Sequence, residues 1–522
     1  MTDVLTIEKT SPSSSALPTD TLADSVLLIL ALTVVQRMVG FVRAILFCRW
    51  LSPEQLGQWD MAFGFLMLGA PVAVLAISGA FGRYAEYYRQ QRKLQTLIRR
   101  TAIFCGLMAL IAAVAMQCTR HWFSQLIFGS PDQGHLVLAL AGTLATCIGF
   151  NYLTDLFTGL RSARLIAALQ MLNTVAFAVL SIALLKTPYG GATSVVVAYG
   201  AACLLSVLWA LRPLRRIWQS CPDRPGHMPQ RAMWSKLVPF ATWFWTGAFL
   251  SNVFDIVDRY MILHYLPGSP ERALAEIGHY HAARVIPLLL VTLAWLLSTI
   301  ITPYLCHDWE RGRRDLVTAH LNLFLKLVGL ALSAAATLAL LIGPWLFNVA
   351  FGGQHTEGLA VFPLALTYCI WFGMCTVVQN YLWCSEKARL TSVALLVALA
   401  INVALNLLML PTMGLMGAVV ARAIANLIAL LLVCGFNHYL GFRLDRGGWL
   451  TIAVPLALAL GSWGRAICWL AVLLLIFRSQ WIFSTAEKHE LVAGWRRYVH
   501  RFRAFSSRRV ADFGRAIESE IP

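Results

Sequence analysis

Apolar runs long enough to cross a bilayer recur from about residue 24 to residue 478, broken by short polar stretches. The pattern predicts spans at 24–48, 60–81, 101–117, 136–160, 165–185 and 192–211. A second set follows at 237–263, 279–303, 321–342, 359–383, 390–410 and 415–438. The stretch 449–478 is also apolar but is interrupted by Gly461-Ser462-Trp463-Gly464-Arg465, so it reads either as one span with an Arg or as a hairpin of two short, tilted spans. The expected fold is all-α, a polytopic membrane protein, because only helices and closed barrels satisfy their backbone in hydrocarbon.

The two sets of spans are copies. Trp122-Phe123-Ser124-Gln125-Leu126-Ile127-Phe128-Gly129-Ser130 returns as Trp345-Leu346-Phe347-Asn348-Val349-Ala350-Phe351-Gly352-Gly353. Ala163-Arg164-Leu165 returns as Ala388-Arg389-Leu390, and Gly57-Gln58-Trp59 stands where Gly278-His279-Tyr280 stands. A half-length duplication in an apolar chain predicts two six-helix lobes with one site between them, the arrangement transporters use for alternating access. The predicted layout is a disordered tail over 1–21, an N-terminal lobe over 22–212, a linker over 213–236, a C-terminal lobe over 237–440, a transmembrane hairpin over 441–480 and a basic amphipathic tail over 481–522.

Hydrophobic residues make up 58% of the chain and charged ones 13%, about half the usual charge of soluble domains. The charge is also unevenly placed. Loops 82–100, 161–164, 212–236, 307–326, 386–389 and 443–446 hold 22 Lys and Arg, whereas the alternate loops hold Arg120, Lys186, Arg272 and Arg465. The rule that positive loops stay inside makes the first set cytoplasmic, together with the N-terminus. The tail after residue 477 carries nine more Lys and Arg. An inside C-terminus favours the hairpin and about 14 transmembrane helices. The net charge of +17 then needs no nucleic acid. In the tail, Val492, Trp495, Val499 and Phe502 oppose Arg496, Arg497, Arg501 and Arg503, a pattern suited to anionic membrane lipid. Truncation after residue 485 is expected to leave the duplicated core able to insert.

Several chemistries lack their residues. No Lys follows a Gly, so there is no Walker A loop. The 12 Cys include no CxxC pair and read as buried hydrophobes. His279 and His281 flank Tyr280 near a membrane boundary, where an interfacial place is expected rather than a metal site. No cofactor, metal or enzyme constellation is expected.

The chemistry sits in charged residues inside the spans. The basic ones read from the sequence are Arg37, Arg43, Arg49, Arg259, Arg284 and Arg422, all Arg. An Arg offers a planar fork that suits phosphate and costs about 2.5 kcal/mol or more in a bilayer unless it meets water or a partner. Arg49 lies at a span end, where it can snorkel. Arg259 follows Asp255 by four residues, so a self-neutralising pair and a substrate contact both stay open. Arg422 stands alone in its helix, with cavity and structural roles equally open. Arg37, Arg43 and Arg284 have no acid in their own helices and point to a cavity. Arg37 and Arg43 lie roughly 120° apart on their helix, so they cannot both face one axis. The acids available for ion coupling are Asp60, Asp155, Asp255 and Asp258. Asp155, beside Asn151, has no basic neighbour on its N-terminal side.

Gln36-Arg37-Met38-Val39-Gly40-Phe41-Val42-Arg43, followed by Leu51-Ser52-Pro53-Glu54-Gln55-Leu56-Gly57, resembles the opening of the polysaccharide-transporter (Wzx-type flippase) branch of the MATE/multidrug–oligosaccharidyl-lipid–polysaccharide superfamily. Asp258-Arg259, Gly278-His279-Tyr280-His281-Ala282-Ala283-Arg284 and Asn402…Asn406…Pro411…Gly414…Gly417-Ala418 are similar to later features of that family. The similarity covers about residues 24–440. It implies two six-helix bundles in a MATE-like V, plus two helices, and a substrate of undecaprenyl-diphosphate-linked oligosaccharide moved across a bacterial inner membrane. Lipid II flippases share the first-helix pattern but carry an Arg in the second helix, and 60–81 has no Lys or Arg. That departure favours an exopolysaccharide, capsule or O-antigen unit. Three rival readings remain: a lipid II flippase, a MATE-type drug or cation antiporter, whose cavity should be acidic or aromatic, and a non-transporting scaffold of a glycan-synthesis complex, which would need no Arg at mid-membrane. A polymerase or export complex is a candidate partner.

Overall fold

The computed structural model describes residues 22–223, 229–489, 491–493 and 496, and these are helical with short connections. The first half holds α1 (Leu22–Trp50), α2 (Pro53–Ala73), α3 (Phe81–Gln90), α4 (Leu94–Cys118), α5 (Arg120–Phe128), α6 (Gly134–Gly159), α7 (Ala163–Leu185) and α8 (Ala192–Ser220). The second holds α9 (Gln230–Tyr265), α10 (Pro270–Glu310), α11 (Arg314–Trp345), α12 (Gly358–Val378), α13 (Asn380–Cys384), α14 (Ala388–Met413) and α15 (Leu415–Tyr439), and then α16 (Arg446–Ala453) and α17 (Ser462–Arg478). Among the described residues, 10 helices are long and apolar enough to cross a membrane, or 11 if one bent pair counts as a span. The helix carrying Asp255, Asp258 and Arg259 is not among the 10. The predicted N-terminal tail and the tail stripe through Trp495, Val499 and Phe502 lie outside the described residues.

The second predicted span needs correction at both ends. The helix starts at Pro53, where Ser52 and Gln55 form a reciprocal capping box, a motif that satisfies two orphan N–H groups. It stops at Ala73, after Pro71 has removed one backbone donor. Leu75 and Ala76 then take left-handed φ values of 50° and 42°, and the chain resumes at Ile77 bent by 64°. Periodicity misses the break because the residues on both sides are apolar.

Two compact units emerge from the packing. The first takes the described residues as far as Leu289, with Leu340–Ala365 and Ser392–Ala425. Its core includes an aromatic cluster in which Phe177 lies 5.5 Å from Trp59 and 5.0 Å from Tyr199, each such pair worth about 0.5–1.5 kcal/mol beyond its burial.

The second unit takes Leu290–Ala339, Leu366–Thr391 and the described residues from Asn426 onward. Asn380 donates to Ser298 Oγ at 2.7 Å, and Trp371 Nε1 donates to the Ile452 carbonyl at 2.9 Å. The segments Arg446–Ala459 and Ser462–Arg478 line one apolar crevice from opposite sides, with Leu450 and Leu456 facing Trp469 and Leu475. They are two short helices and not one continuous span. The intramembrane basic residues are not all Arg: Lys326, expected in loop 307–326, sits within α11, fully buried, with Nζ 2.6 Å from Asp445 Oδ2 and 2.5 Å from Glu487 Oε1. Ile482 and Phe483 are buried beside it, and a Cβ on Gly447 would strike the Ile482 carbonyl.

Candidate functional site

The charged residues singled out from the sequence converge in the first unit. The α2 cap sets the helix register and carries Asp60 inward, where it is 4% exposed. Asp255 and Arg259, one turn apart on α9, are joined through Oδ2 and Nη2 at 3.1 Å. Nη1 of the same Arg259 reaches across to Asp60 Oδ1 at 3.2 Å, tying α2 to α9. On α10, Arg284 Nη2 lies 3.0 Å from Asp255 Oδ1. On α15, Arg422 pairs with Asp258 Oδ2 at 3.2 Å and with Asp255 Oδ1 at 3.6 Å.

Arg284 has its acid from a neighbouring helix, which spacing within one helix cannot reveal. Arg422 stands alone in its helix but not in space, and Phe254 lies under its guanidinium at 4.1 Å. Asn406 Nδ2 reaches Asp258 Oδ1 at 3.5 Å and Asn402 Oδ1 at 2.9 Å, so the Asn402…Asn406 pattern is part of this site.

Three arginines thus face three carboxylates, and the cluster is formally neutral while His281 is neutral. The arginine side chains are 5–6% exposed, whereas the Asp255 side chain is 52% exposed. The accessible group of the cluster is therefore an acid ringed by three guanidiniums. Buried ion pairs of this kind contribute little net stability, because desolvation offsets their attraction. What they provide is a set of anion receptors that already hold an anion.

The remaining candidates lie elsewhere. Arg37 on α1 is exposed and has no acidic partner among the described residues. Arg43, one of the pair that cannot share an axis, stacks on Phe177 with its guanidinium carbon 4.1 Å from the ring centroid. Asp155 on α6 accepts from Ser78 Oγ at 2.6 Å and borders a cavity of about 220 Å³ at the α2 break, with Asn151 and Pro71 in its wall.

Histidines complete the cluster. His281 Nδ1 lies 2.9 Å from Asp60 Oδ1, and His279, 7% exposed, has Nε2 3.4 Å from Glu357 Oε2. Among the described residues no group of three or more His, Cys, Asp or Glu is placed to hold a metal. Beside the cluster, α2, α4, α5 and α9 enclose an apolar crevice of about 540 Å³ lined by Phe65, Val72, Phe123, Phe249, Ile256 and Tyr260.

No curated protein matches the chain. Solved structures share its fold at low identity. The lipid II flippase MurJ in an inward closed conformation gives a TM-score of 0.63 at 13% identity, covering 87% of this chain and 99% of that one. An inward-facing multidrug resistance MATE transporter of the MOP superfamily gives 0.61 at 12% identity, covering 80% and 98%. A MOP superfamily transporter from Pyrococcus furiosus, described by the reverse polarity of its binding pocket, gives 0.54 at 11% identity, covering 80% and 95%. These neighbours are transporters and a flippase rather than enzymes, and their fold is that of a multi-pass membrane protein. The family model described as "Polysaccharide biosynthesis protein" matches residues 22–309, more than half of the chain, and the chain belongs to that family.

Proposed function

We propose that this protein is a flippase that moves an undecaprenyl-diphosphate-linked oligosaccharide across a bacterial inner membrane by alternating access. The exopolysaccharide, capsule and O-antigen units all fit this reading. One observation carries it: Arg259, Arg284 and Arg422 converge on the single half-exposed carboxylate of Asp255. A diphosphate head can compete for forks that already grip an anion, since Arg binds phosphate and carboxylate by the same bidentate geometry. Arg37 and Arg43 add positive charge on α1. The apolar crevice beside the cluster offers hydrocarbon-lined space for the chain that such a head carries.

A cation antiporter would need Asp255 free of the three guanidiniums that neutralise it, and α2 keeps no Lys or Arg to support the lipid II reading. Asp60, Asp155, Asp255 and Asp258 remain the acids available for ion coupling. The protein performs no covalent chemistry in this account.

The layout proposed with it has two six-helix lobes, 22–212 and 237–440, a hairpin over 441–480 that crosses twice, and both termini in the cytoplasm. The basic tail rests on anionic lipid, and the flippase hands its cargo to a polymerase. Reporter fusions at residue 225 and after residue 490 are expected inside, and one at residue 270 outside. A reporter outside after residue 490 would refute the double crossing. The function itself is tested in proteoliposomes with a fluorescent, short-chain polyprenyl-diphosphate sugar. Protein-dependent translocation of that lipid, and none of a dicationic drug, is expected; the opposite preference would refute the reading.

A further inference from the structure

We propose that the cavity at the break after α2 binds a monovalent, oxygen-seeking cation of the sodium class, held by Asp155 with Ser78, Asn151 and Thr154, and that the ion braces the bend against α6. The site does not depend on the flippase reading, and its test needs no lipid.

Asp155 is the carboxylate of this site. It is half-buried near the C-terminal end of α6, and its Oδ2 accepts from Ser78 Oγ at 2.6 Å. Asp60, Asp255 and Asp258 each meet an arginine. Asp155 does not: among the described residues no Lys, Arg or His lines the cavity of about 220 Å³ that it borders. A carboxylate inside a membrane protein is costly without a compensating positive charge, and the protein supplies none here. The carbonyl end of α6 adds partial negative charge, which favours a cation further.

The neutral groups around it are set as acceptors. Asn151, Thr154 and Asp155 fall at i, i+3 and i+4 on one face of α6, and all three line the cavity. A hydroxyl has one hydrogen and two lone pairs, and both hydroxyls here spend the hydrogen locally. Ser78 gives its hydrogen to Asp155, and Thr154 donates to the Phe150 carbonyl at 2.9 Å. The Asn151 amide nitrogen turns to Cys147 Sγ at 3.8 Å, which leaves its oxygen as an acceptor. One carboxylate, two hydroxyl oxygens and an amide oxygen remain, a set that suits a hard cation. A single negative charge is balanced by a monovalent ion and not by a divalent one. The volume leaves room for waters to complete the shell. With one acid, the site differs from the clustered His, Cys and acid ligands of transition-metal sites, of which the described residues have none.

The break supplies the other wall. Ala76 N–H reaches back five residues to the Pro71 carbonyl and Ile77 N–H only three, to Val74, so the backbone leaves the α-helical ladder here. Interrupted helices are where membrane transporters coordinate small cations. Pro71 also leaves the Met67 carbonyl without its helical donor, and Asn252 Nδ2 from α9 takes that place at 3.3 Å. The bend is therefore held from the α9 side by an amide and from the α6 side by the Ser78–Asp155 bond. A cation shared by Ser78, just past the bend, and the three α6 residues adds to the second tie and favours the bent form.

The experiment is binding of radiolabelled sodium to the purified full-length chain in detergent, with choline chloride holding the ionic strength constant. Saturable binding, displaced by unlabelled sodium, is expected for the parent. Asp155→Asn should weaken it roughly tenfold or more, and Thr154→Val severalfold. Asp155→Asn keeps an acceptor for Ser78 Oγ, so in choline chloride it should melt with the parent. Replacing choline by sodium should raise the parent's melting temperature by a few degrees and leave that of Asp155→Asn unchanged. A parent that binds no sodium, or undiminished binding in Asp155→Asn, would overturn the site. Should Asp155→Asn fail to fold, Thr154→Val decides, because it keeps the carboxylate and the side-chain volume; unchanged affinity there overturns the ligand set. Binding with no sodium-dependent rise in melting temperature would overturn the brace. Melting that ignores sodium but rises as pH falls, and does so only while Asp155 is present, would make this a proton site and overturn the proposal.

Discussion

Gly57 and Gly278 each lie against the other's helix in the same way. A Cβ on Gly57 would run into the carbonyl oxygen of Leu274, and a Cβ on Gly278 into that of Pro53, each four residues before the opposite glycine. The two members of the repeated Gly-x-aromatic segment therefore face one another where α2 crosses α10, one turn before Asp60 and His281. Only glycine allows backbones to approach this closely.

Alanine at either glycine should cost about 1–3 kcal/mol, the usual range for overpacking. The double variant should cost less than the sum, because separating the helices once relieves both collisions. Thermal unfolding of the purified single and double variants in one detergent checks this, and additive losses would show two independent contacts.

The break after α2 holds Leu75 and Ala76 in the left-handed region, at about 1–2 kcal/mol per residue for an L side chain. Ala76→Gly should raise the melting temperature by a few degrees, since glycine adopts that conformation freely. A lower melting temperature would mean that the Ala76 methyl contributes more by packing than the strain costs.

Much of this was legible from residue spacing. The duplication announced that Gly57 and Gly278 are equivalent, apolar run length located most helices, and the Asp255–Arg259 spacing of four announced their pair. What escaped depends on contacts between helices far apart in sequence. Arg284 found Asp255, Arg422 found Asp258, and His281 found Asp60 across helix boundaries that no periodicity crosses. Lys326 escaped for another reason: its acids lie beyond residue 440, in a stretch whose polar residues read as loop and tail. The α2 break escaped because Pro71 stands in an apolar run that looks continuous.

Lys326 also changes the expectation for the tail. Truncation after residue 485 removes Glu487, one of the two acids holding a fully buried ammonium. Breaking a buried pair typically costs about 3–5 kcal/mol, and the remaining Asp445 contact should hold the loss toward the lower end. The truncated chain is expected to melt several degrees below the full chain, with Lys326→Met recovering part of the difference. Equal melting temperatures for the full and truncated chains would show that Glu487 contributes nothing.

His355 should impose a pH slope on stability. Its folded value of about 4 lies below the ordinary 6.5 of an unfolded chain. The contribution is therefore complete above pH 6.5 and is lost as pH falls toward 4, amounting to at most about 3 kcal/mol. Urea or thermal unfolding of His355→Phe against the parent, compared at pH 7.5 and 4.5, should show a smaller loss in the variant. Equal losses would place the imidazole in a polar setting.

The central claim is that the arginines around Asp255 serve an anionic head group and are more than structural ion pairs. Arg284→Ala alone leaves Asp255 with one partner fewer, so lost transport there could reflect lost protein. The decisive measurement is translocation of the diphosphate-linked lipid, per molecule of inserted protein, in Arg284→Ala/Asp255→Asn, where the charge balance of the pair is restored. Inserted protein is expected to return to near the parent amount while translocation stays at least tenfold down, with Arg284→Lys intermediate because it keeps charge but not the fork. Translocation restored together with the protein would contradict the account and make Arg284 a structural partner of Asp255.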